Sequence, residues 1–423
     1  MELSFARDGR AERVGPGPLP HDEERLVIGL GSGSSGDGVD AALVSIRGSC
    51  ETAEIRLEHF VCLEFDDDTR ARLLALFDFA TATVDKLCIA HAIMGELFAD
   101  AALQVCAEHG VPMEAIQCIG VWGQMAAHMP AQTTPFEWRG KQIGSSLRIG
   151  DLNRIAVRTG VPTVGDFPNA DIAAGGNGAP LLTALFDYAM YHDPNRNRVV
   201  QNIGGIGNCN LLPATGGLEA VVGFDTGPGV MVIDGLVRHY TDGAEHFDRD
   251  GERAMRGTVD RALLDELMQD RFIQKDPPKA AGWENYGAHF VRHVVGLAAE
   301  RALSPDDVVA TATALTVESI AVNYERHLSA ACSAPTNAID EVIVGGGGAS
   351  NPVLLRMLAD RLRCRVSVHD DYGTPGFAYE AMIEGFSASE LYLGHPIHVP
   401  GIAGADRATF AGMVAPGYVD YAR

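Results

Sequence analysis

The sequence predicts an α/β protein built from two lobes. Its 423 residues exceed what a single hydrophobic core usually supports. Stretches typical of strands alternate with stretches typical of helices along the whole chain, which is the pattern of an α/β fold. A glycine turn between two apolar strands occurs at residues 26–46 and again at 199–212. The second lobe is therefore expected to repeat the first.

The first of these repeats is expected to open the folded chain. Residues 26–30 form a short apolar strand, residues 31–38 are rich in glycine and serine, and residues 39–46 are too short and unbroken for an amphipathic helix. Strand, turn and strand is the resulting prediction. Residues 1–25 are charged and rich in glycine and proline, so we expect a flexible N-terminal arm there.

Later elements have clear start and stop signals. Apolar side chains four residues apart predict a helix over residues 86–108. Ser304, which precedes a proline, predicts the N-cap of another helix. Residues 341–344 predict a strand that runs into a run of four glycines, and Asn351 predicts the cap of the helix that follows.

No linker rich in proline or serine divides the chain. We expect the lobes to be joined by short crossings near residues 190 and 385. The predicted N-terminal lobe then comprises residues 26–190 and 385–423, and the predicted C-terminal lobe comprises residues 191–384.

The composition argues against several classes of partner. The net charge is −23, so nucleic acid and anionic membrane surfaces are disfavoured. The N-terminus has no signal-peptide pattern, and no segment reads as the roughly 20 apolar residues of a membrane span. Eight cysteines without a C-x-x-C pair are typical of reduced thiols. The sequence thus predicts a cytoplasmic protein.

The glycine-rich turns are candidate phosphate sites. Residues 31–36 match G-x-G-x-x-G, but a dinucleotide fold needs a helix after the last glycine, and a strand is predicted here. No P-loop motif occurs. A tight glycine hairpin lets backbone N–H groups approach oxyanions, and the carboxylates of Asp37 and Asp40 suit a hydrated Mg²⁺. One such turn alone is more often structural, but three in order favour a triphosphate site.

Six segments match, in order, the motifs of one family of actin-like sugar kinases and ATPases. The sequence resembles the anhydro-N-acetylmuramic acid kinase and levoglucosan kinase family from about Leu26 to Tyr418. The matching segments are GLGSGSSGDGVD at 29–40, DFPNADIAAGGNGAPL at 166–181, QNIGGIGN at 201–208, GFDTGPG at 223–229, DPPK at 276–279 and GGGGASNP at 345–352.

This resemblance implies a two-lobed actin-like fold, a duplicated ribonuclease H-like unit with a cleft between the lobes. It also implies a phosphotransferase that uses ATP and Mg²⁺, acts on a small carbohydrate and forms a homodimer. Asp37 is the implied metal ligand. The implied nucleotide-binding residues are Ser32, Gly33, Ser34, Ser35, Asp37, Gly38, Asp40, Gly204, Gly205, Gly345, Gly346, Gly347 and Asn351.

The implied reaction opens a 1,6-anhydro bridge. A carboxylate deprotonates water, water attacks the anomeric carbon, and the freed O6 accepts the γ-phosphoryl group of ATP. We assign the base to Asp171 and expect it at the start of a helix, where the amide dipoles favour its ionised form. A plain N-cap is the structural alternative for Asp171, and Asp166 is the second candidate for the base.

The implied substrate site departs from the family pattern. The H-G-Q-T motif reads WGQM at 122–125, the arginine of D-F-R is Pro168, the asparagine of D-T-G-P-G-N is Val230, and P-K-S-T-G-R-E reads PKAAGWE at 278–284. Nothing local in the sequence replaces the lost arginine. We therefore expect altered acceptor specificity, with indoles offering stacking faces. The candidate substrate-binding residues are Trp122, Gln124, Asp225, Trp283 and Glu284.

The sequence leaves other roles open for Asp225 and for the whole chain. Asp225 could equally serve as a turn-stabilising side chain. The whole chain could be a catalytically silent pseudokinase that binds nucleotide or sugar as a sensor or scaffold. The lost arginine and histidine favour the silent form, whereas the retained Asp171 and glycine turns favour the enzyme. A chaperone-like ATPase is disfavoured because no peptide-binding domain is evident.

Overall fold

The computed structural model describes residues 23–33, 38–76, 81–131, 134, 136–397 and 399–417. The predicted arm falls outside these ranges except for its last three residues. Ser34, Ser35 and Asp37, three of the implied nucleotide-binding residues, also lie outside the described residues, whereas Gly33 is the last described residue before that gap.

Fourteen strands are assigned within the described residues. They are β1 (Arg25–Gly31), β2 (Gly38–Arg47), β3 (Glu54–Glu64), β4 (Ile116–Met129), β5 (Glu137–Trp138), β6 (Lys141–Gln142), β7 (Ser145–Ile149), β8 (Thr163–Gly165), β9 (Asn197–Ile203), β10 (Ile206–Leu212), β11 (Val222–Pro228), β12 (Ile339–Gly345), β13 (Arg365–Val368) and β14 (Met413–Ala415).

Fifteen α-helices are assigned in the same part of the chain. They are α1 (Asp67–Leu74), α2 (Val84–His109), α3 (Leu152–Thr159), α4 (Phe167–Ala173), α5 (Thr183–Tyr191), α6 (Met231–Tyr240), α7 (Glu252–Arg256), α8 (Arg261–Leu267), α9 (Arg271–Gln274), α10 (Trp283–Tyr286), α11 (Ala288–Glu300), α12 (Pro305–Asn323), α13 (Pro352–Leu362), α14 (Tyr379–Tyr392) and α15 (Pro400–Ala403).

Two large sheets repeat the same topology. The first has the order β14-β8-β4-β1-β2-β3, with β7 also paired to β4, and the second has the order β11-β10-β9-β12-β13. In the first sheet β1, β2 and β3 form an antiparallel meander, β4 pairs in parallel with β1, and β8 pairs in parallel with β4, while β7 pairs antiparallel with β4. In the second sheet β9, β10 and β11 form the meander, β12 pairs in parallel with β9, and β13 pairs in parallel with β12. This repetition confirms the predicted duplication and the actin-like α/β fold class.

Helices and sheets alternate in layers. Successive side chains of a strand point to opposite faces. In β1, Ile28 packs into a cluster with α2, whereas Val27 packs into a central cluster with α5 and α14. In β9, Val200 joins that central cluster, whereas Val199 joins the core beneath α6, α11 and α12. The helices α5 and α14 therefore lie between the two sheets.

Local signals read from the sequence placed several elements correctly. The helix α2 ends at Gly110, which adopts a left-handed conformation with φ of 81°. Ser304 caps α12 and accepts a hydrogen bond from the Asp307 amide. Asn351 caps α13 and accepts bonds from two amides of its first turn.

The expectation that no segment is long and apolar enough to cross a membrane was wrong. The helix α2 satisfies that criterion by length and composition, with a mean hydropathy of 1.3. This is weak evidence for a membrane span, because core helices satisfy the same criterion. Met94, Phe98 and Val105 of α2 are buried against the first sheet, as in such a core helix.

The two ends of the described chain are fixed to the first sheet. Arg25, which the prediction placed in the arm, is the buried first residue of β1. Its guanidinium donates hydrogen bonds to Ser389 and Glu390 of α14 at 2.7 and 3.0 Å. At the other end, β14 pairs with β8. The predicted boundary between residues 384 and 385 falls inside α14, and the lobe boundaries themselves stay a prediction.

Candidate active site

The first glycine turn joins β1 to β2. The two strands are antiparallel, with Gly31 opposite Asp40, so a strand follows the glycines and the dinucleotide-fold interpretation is excluded. Ser32 is buried, and its hydroxyl lies 2.8 Å from the carbonyl oxygen of Gly38 and 2.7 Å from Oε1 of Gln124. These contacts fix the base of the turn to β4.

The second glycine turn and the late glycine run pack against each other. Gly204 and Gly205 connect β9 to β10. Gly346, with φ of 73°, follows β12, and a Cβ there would lie 2.3 Å from Oδ1 of Asn202. The amide of Val230 donates to the Gly204 carbonyl at 2.8 Å, which brings the turn after β11 to the same place. Three bare backbone turns thus meet at one end of the second sheet.

The remaining residues of the late glycine run have different neighbours. A Cβ on Gly345 would lie 2.2 Å from Nε2 of the buried His369, whereas one on Gly347 would meet only a methyl of Val230 at 4.0 Å. Gly347 therefore has open space in front of it. Asn351 uses its side-chain oxygen to cap α13, so the structure gives it a role in holding the helix N-terminus beside the turn.

A buried carboxylate that sequence reasoning missed lies beside the first turn. Glu384 of α14 is 4% exposed, and a Cβ on Gly31 would lie 2.9 Å from its Oε1. No described residue offers a hydrogen-bond partner to its Oε2. Burial, followed by the charges of Glu380 and Asp40, raises the pKa of Glu384 well above its usual range, and Arg148 opposes that shift.

This carboxylate arrangement fits a divalent cation. Oxygen ligands are what Mg²⁺ prefers. Asp40 pairs with Gly31 across the hairpin, and the buried carboxyl of Glu384 lies close to the Cα of the same glycine. A sequence signal did exist, because Glu380 and Glu384 stand one helical turn apart in α14, where like charges destabilise each other.

The candidate base Asp171 is enclosed by a glycine loop. It is fully buried, and its Oδ2 accepts a hydrogen bond from the Gly178 amide at 2.6 Å. A Cβ on Gly176 would lie 2.2 Å from that oxygen, so the loop can close around the carboxylate only with glycine there. The Gly178 amide thus holds the carboxylate of Asp171 in a fixed position.

The expectation that Asp171 starts a helix was wrong. The helix α4 begins at Phe167, and Asp171 lies towards its C-terminal end. Pro168 in the first turn suits a helix start, which places Asp166 at the N-cap position instead. The helix-dipole argument therefore does not apply to Asp171, and neither does the N-cap alternative.

Asp166 is tied to the neighbouring strand through one asparagine. Its carboxylate accepts a bond from Asn169 Nδ2 at 2.6 Å, and Asn169 also bonds the amide and the carbonyl of Ser146, each at 2.9 Å. Burial raises the pKa of Asp166, while Asn169 and Arg148 work in the opposite direction. The helix α4 and the strand β7 are thereby clamped together.

A guanidinium from β7 lies in this region. The Cζ of Arg148 stands 3.9 Å from the centre of the Trp122 ring, and Trp122 in turn stacks on Phe167 at 6.3 Å between ring centres. Nothing local in the sequence replaced the arginine missing at Pro168, but the fold brings Arg148 to the same helix. One face of Trp122 is therefore covered by Arg148, which limits its use as a stacking platform.

The imidazole of His128, from β4, lies close to β7 and within the electrostatic influence of Arg148 and Asp171. Nδ1 of His128 is 3.2 Å from the Ser146 hydroxyl. Burial, followed by the charge of Arg148, lowers the pKa of His128 to about 4, while Asp171 pulls it upward. A neutral imidazole thus sits within electrostatic reach of the candidate base, although Trp122 occupies the family's histidine position.

Asp225 projects from β11 and holds a distant loop. Its Oδ2 accepts a hydrogen bond from the amide of Ala281 at 2.8 Å, so its partner is not a local turn and the turn-stabilising interpretation is wrong. Burial raises the pKa of Asp225 to about 7, Lys279 lowers it and Glu284 raises it. Glu284 is exposed on α10, whose first residue is Trp283.

The C-terminal segment joins the loops of Asp171 and Asp225. The amide of Asn177 donates to the carbonyl of Ala403 at 2.8 Å. One residue on, a Cβ on Gly404 would lie 3.3 Å from Cγ of Pro278, which precedes the Lys279 loop. The candidate acceptor residues of the two halves therefore lie on either side of one short segment.

Comparison with known proteins identifies the family. The sequence model described as "Anhydro-N-acetylmuramic acid kinase" matches residues 25–417. The anhydro-N-acetylmuramic acid kinase of Caldanaerobacter subterraneus subsp. tengcongensis is 40% identical over 394 residues, or 93% of this chain and 97% of that protein. The one from Salinibacter ruber is 38% identical over 398 residues, or 94% and 98%. Among solved structures, component A of (R)-2-hydroxyglutaryl-CoA dehydratase from Acidaminococcus fermentans is 10% identical with a TM-score of 0.44, covering 87% of this chain and 99% of that one. The chain belongs to the anhydro-N-acetylmuramic acid kinase family.

Proposed function

We propose that this sugar-kinase relative transfers the γ-phosphoryl group of ATP to a 1,6-anhydro sugar while water opens the bridge. The observation that carries the proposal is the enclosure of Asp171, whose carboxylate is held by the Gly178 amide at 2.6 Å. A base must be fixed in place to accept a proton from water, and that backbone contact supports this requirement. The relatives named as anhydro-N-acetylmuramic acid kinases support the substrate class.

In the proposed reaction Asp171 accepts one proton from water. The water oxygen bonds to the anomeric carbon as the bond from that carbon to O6 breaks, and the electron pair stays on O6. O6 then bonds to the γ-phosphorus as the bond to the ADP oxygen breaks. The balance is one anhydro sugar, one ATP and one water giving one sugar 6-phosphate and one ADP, with the proton released to solvent.

The nucleotide is proposed to lie on the glycine turns. The amides around Gly204, Gly205 and Gly347 offer donors to phosphate oxygens. Asp40 and Glu384, together with Asp37 as the sequence predicts, would hold Mg²⁺. When bound, this ion neutralises charge on the phosphates during transfer. These residues act by positioning, since phosphoryl transfer needs little covalent help from protein.

The acceptor is proposed to differ from the usual sugar of the family. Trp122, Pro168 and Val230 stand where the family pattern has hydrogen-bonding side chains, and each lost partner would leave a sugar hydroxyl unpaired at about 1–3 kcal/mol. We likewise propose a cytoplasmic homodimer, an assignment that rests on family resemblance alone.

The test is turnover by the purified chain with Mg-ATP and a panel of anhydro sugars, including anhydro-N-acetylmuramic acid and levoglucosan. We expect sugar-dependent ADP release that Asp171→Asn abolishes and that Asp260→Asn, a change at the distant cap of α8, leaves intact. Sugar binding without ADP release would instead identify a silent pseudokinase. Turnover of either named sugar at a rate ordinary for the family would contradict altered specificity.

A further inference from the structure

The guanidinium of Arg148 packs on an aromatic ring but has no hydrogen-bond partner among the described residues. None of its N–H groups donates a hydrogen bond to a described residue, and its Nε is closed off from solvent. A guanidinium carries five N–H donors in a rigid fork, and leaving the buried Nε–H without an acceptor is costly. The Cζ of Arg148 lies 3.9 Å from the centre of the Trp122 ring. The indole thus packs against the guanidinium, and the N–H donors of Arg148 stay available to a ligand.

The position of Arg148 is between the two halves of the proposed reaction. A Cβ on Gly123 would lie 3.2 Å from Cβ of Arg148, and Gly123 pairs with Gly31 at the end of β1. The nucleotide turn therefore begins one strand away. On the other side, β7 is clamped to α4, the helix that carries Asp171. In the proposed reaction the phosphoryl group passes from the nucleotide turn towards α4, and Arg148 lies between these two elements.

We propose that Arg148 is a catalytic residue that binds the γ-phosphoryl group while it moves from ATP to the acceptor. This inference rests on the proposed function and deepens it. The guanidinium forms no bond to phosphorus and keeps its proton. It donates two hydrogen bonds to equatorial oxygens as the old phosphorus–oxygen bond breaks and the new one forms. A planar fork matches phosphate oxygens, which gather charge in the transition state.

A structural counter-ion role fits the observations less well. The two nearby carboxyls are Glu384 and Asp166, and neither accepts a hydrogen bond from Arg148. An arginine that served as their ion-pair partner would donate a hydrogen bond to at least one of them.

The experiment compares variants at this position for binding of a transition-state mimic, ADP with Mg²⁺ and aluminium fluoride. We expect Arg148→Gln to weaken binding of the mimic at least about 100-fold, in line with arginines that contact transferring phosphoryl groups, with Mg-ADP affinity unchanged. Arg148→Lys should bind the mimic with an affinity between those of the wild type and Arg148→Gln. Arg154→Gln, at an exposed arginine paired with Glu96, is the matched control and should bind the mimic like the wild type.

Turnover gives the second readout. With any acceptor found active, Arg148→Gln should lower kcat and leave the acceptor KM unchanged. A raised acceptor KM with unchanged kcat would show that Arg148 binds the acceptor and would overturn the proposal. Equal binding of the mimic by wild type and Arg148→Gln would overturn it too, whether or not an acceptor is known. If the mimic discriminates but no anhydro sugar is phosphorylated, the acceptor assignment fails and the role of Arg148 stands.

The indole provides an internal check. Trp122→Phe keeps an aromatic face under the guanidinium, whereas Trp122→Ala frees it to rotate. We expect the alanine variant to lose at least about tenfold in affinity for the aluminium fluoride complex and the phenylalanine variant to lose less, because orienting a fork is part of its effect. Equal losses in the two variants would contradict the orienting role of Trp122.

Discussion

The hydroxyl of Ser32 lies 2.7 Å from Oε1 of Gln124, and this contact joins the turn after β1 to the strand β4. Both side chains are buried, and the same hydroxyl lies 2.8 Å from the Gly38 carbonyl across the hairpin. A glycine-rich turn has little side-chain packing of its own to fix its shape. The geometry of the proposed nucleotide turn therefore depends on a residue 92 positions away in the sequence.

We predict that Ser32 and Gln124 are energetically coupled. Ser32→Ala and Gln124→Ala should each cost about 1–2 kcal/mol of stability, because each removes a buried hydrogen bond. Their double variant should show a coupling of about 0.5–3 kcal/mol in urea unfolding. The pair Gln124→Ala and Ser304→Ala, with Ser304 at the distant cap of α12, should be additive. If the losses for the Ser32 and Gln124 variants were additive, the contact between the two side chains would contribute no coupling free energy.

The glycine turns could be predicted from sequence because their signals are local. Apolar strands on either side of residues 31–38 and 204–205 predict hairpins by themselves, and both hairpins are present. The same holds for the caps at Ser304 and Asn351, where the side chain bonds an amide two or three residues on. Such local features can be predicted from the neighbouring residues, without knowledge of the fold.

Arg148 and Glu384 could not be assigned to the site in the same way. Arg148 belongs to a short strand whose neighbours become known only when β4, β7 and α4 are placed together. Glu384 meets Gly31 from more than 350 positions away. Motifs report which residues match a family, whereas a group that takes over a lost role from elsewhere in the chain has no motif.

The position of Asp171 shows how a local signal can mislead. Two aspartates, Asp166 and Asp171, flank the start of an apolar helical stretch, and either could be its cap. Pro168 decides between them, because proline is tolerated in the first turn and would interrupt a helix that began earlier. Reading that proline as a helix start would have placed Asp171 inside α4.

We predict that Gly345→Ala destabilises the protein. Its Cβ would lie 2.2 Å from Nε2 of His369, a fully buried ring whose Nδ1 lies 2.6 Å from the Tyr191 hydroxyl and so cannot easily move. Overpacking of this kind costs about 1–3 kcal/mol. Thermal unfolding measures it, and Mg-ATP affinity should fall because the late glycine run shifts.

The matched control for Gly345 is Gly296→Ala in α11. A Cβ on Gly296 would meet no atom within 4 Å. Alanine is the better helix former, so this variant should gain about 0.5–1 kcal/mol. A Gly345→Ala protein as stable as the wild type would mean that His369 can move aside.

We predict that Asp187 makes stability fall as pH rises from about 4 to 7. Asp187 of α5 is fully enclosed, accepts bonds from Tyr379 and from Asn210, and burial raises its pKa to about 7. Because its folded pKa exceeds its unfolded pKa, the folded state holds the extra proton in that window, and stability is lost as pH rises through it. The loss is on the order of 3–4 kcal/mol at most.

Chemical unfolding between pH 4.5 and 8 measures this dependence. Asp187→Asn should flatten the decline relative to the wild type. Asp307→Asn should change the pH dependence in the opposite direction. The Ser304 hydroxyl lowers the pKa of Asp307, so the contribution of Asp307 to the free energy of unfolding grows as pH rises. An Asp187→Asn variant with the wild-type decline would show that other groups cause it.

Asp225 should make acceptor use depend on pH near neutrality. Burial raises its pKa to about 7 while the backbone amide of Ala281 opposes that shift, so the carboxyl changes charge between pH 6 and 8. The ionised form accepts hydrogen bonds from sugar hydroxyls, whereas the protonated form offers fewer acceptors. We therefore expect kcat/KM for the acceptor to rise about tenfold between pH 6 and 8, as the ionised fraction rises. Asp225→Asn should remove that rise, and Asp187→Asn should keep it because Asp187 lies in the core between the sheets. A rise that survives in Asp225→Asn would assign the titration to another group.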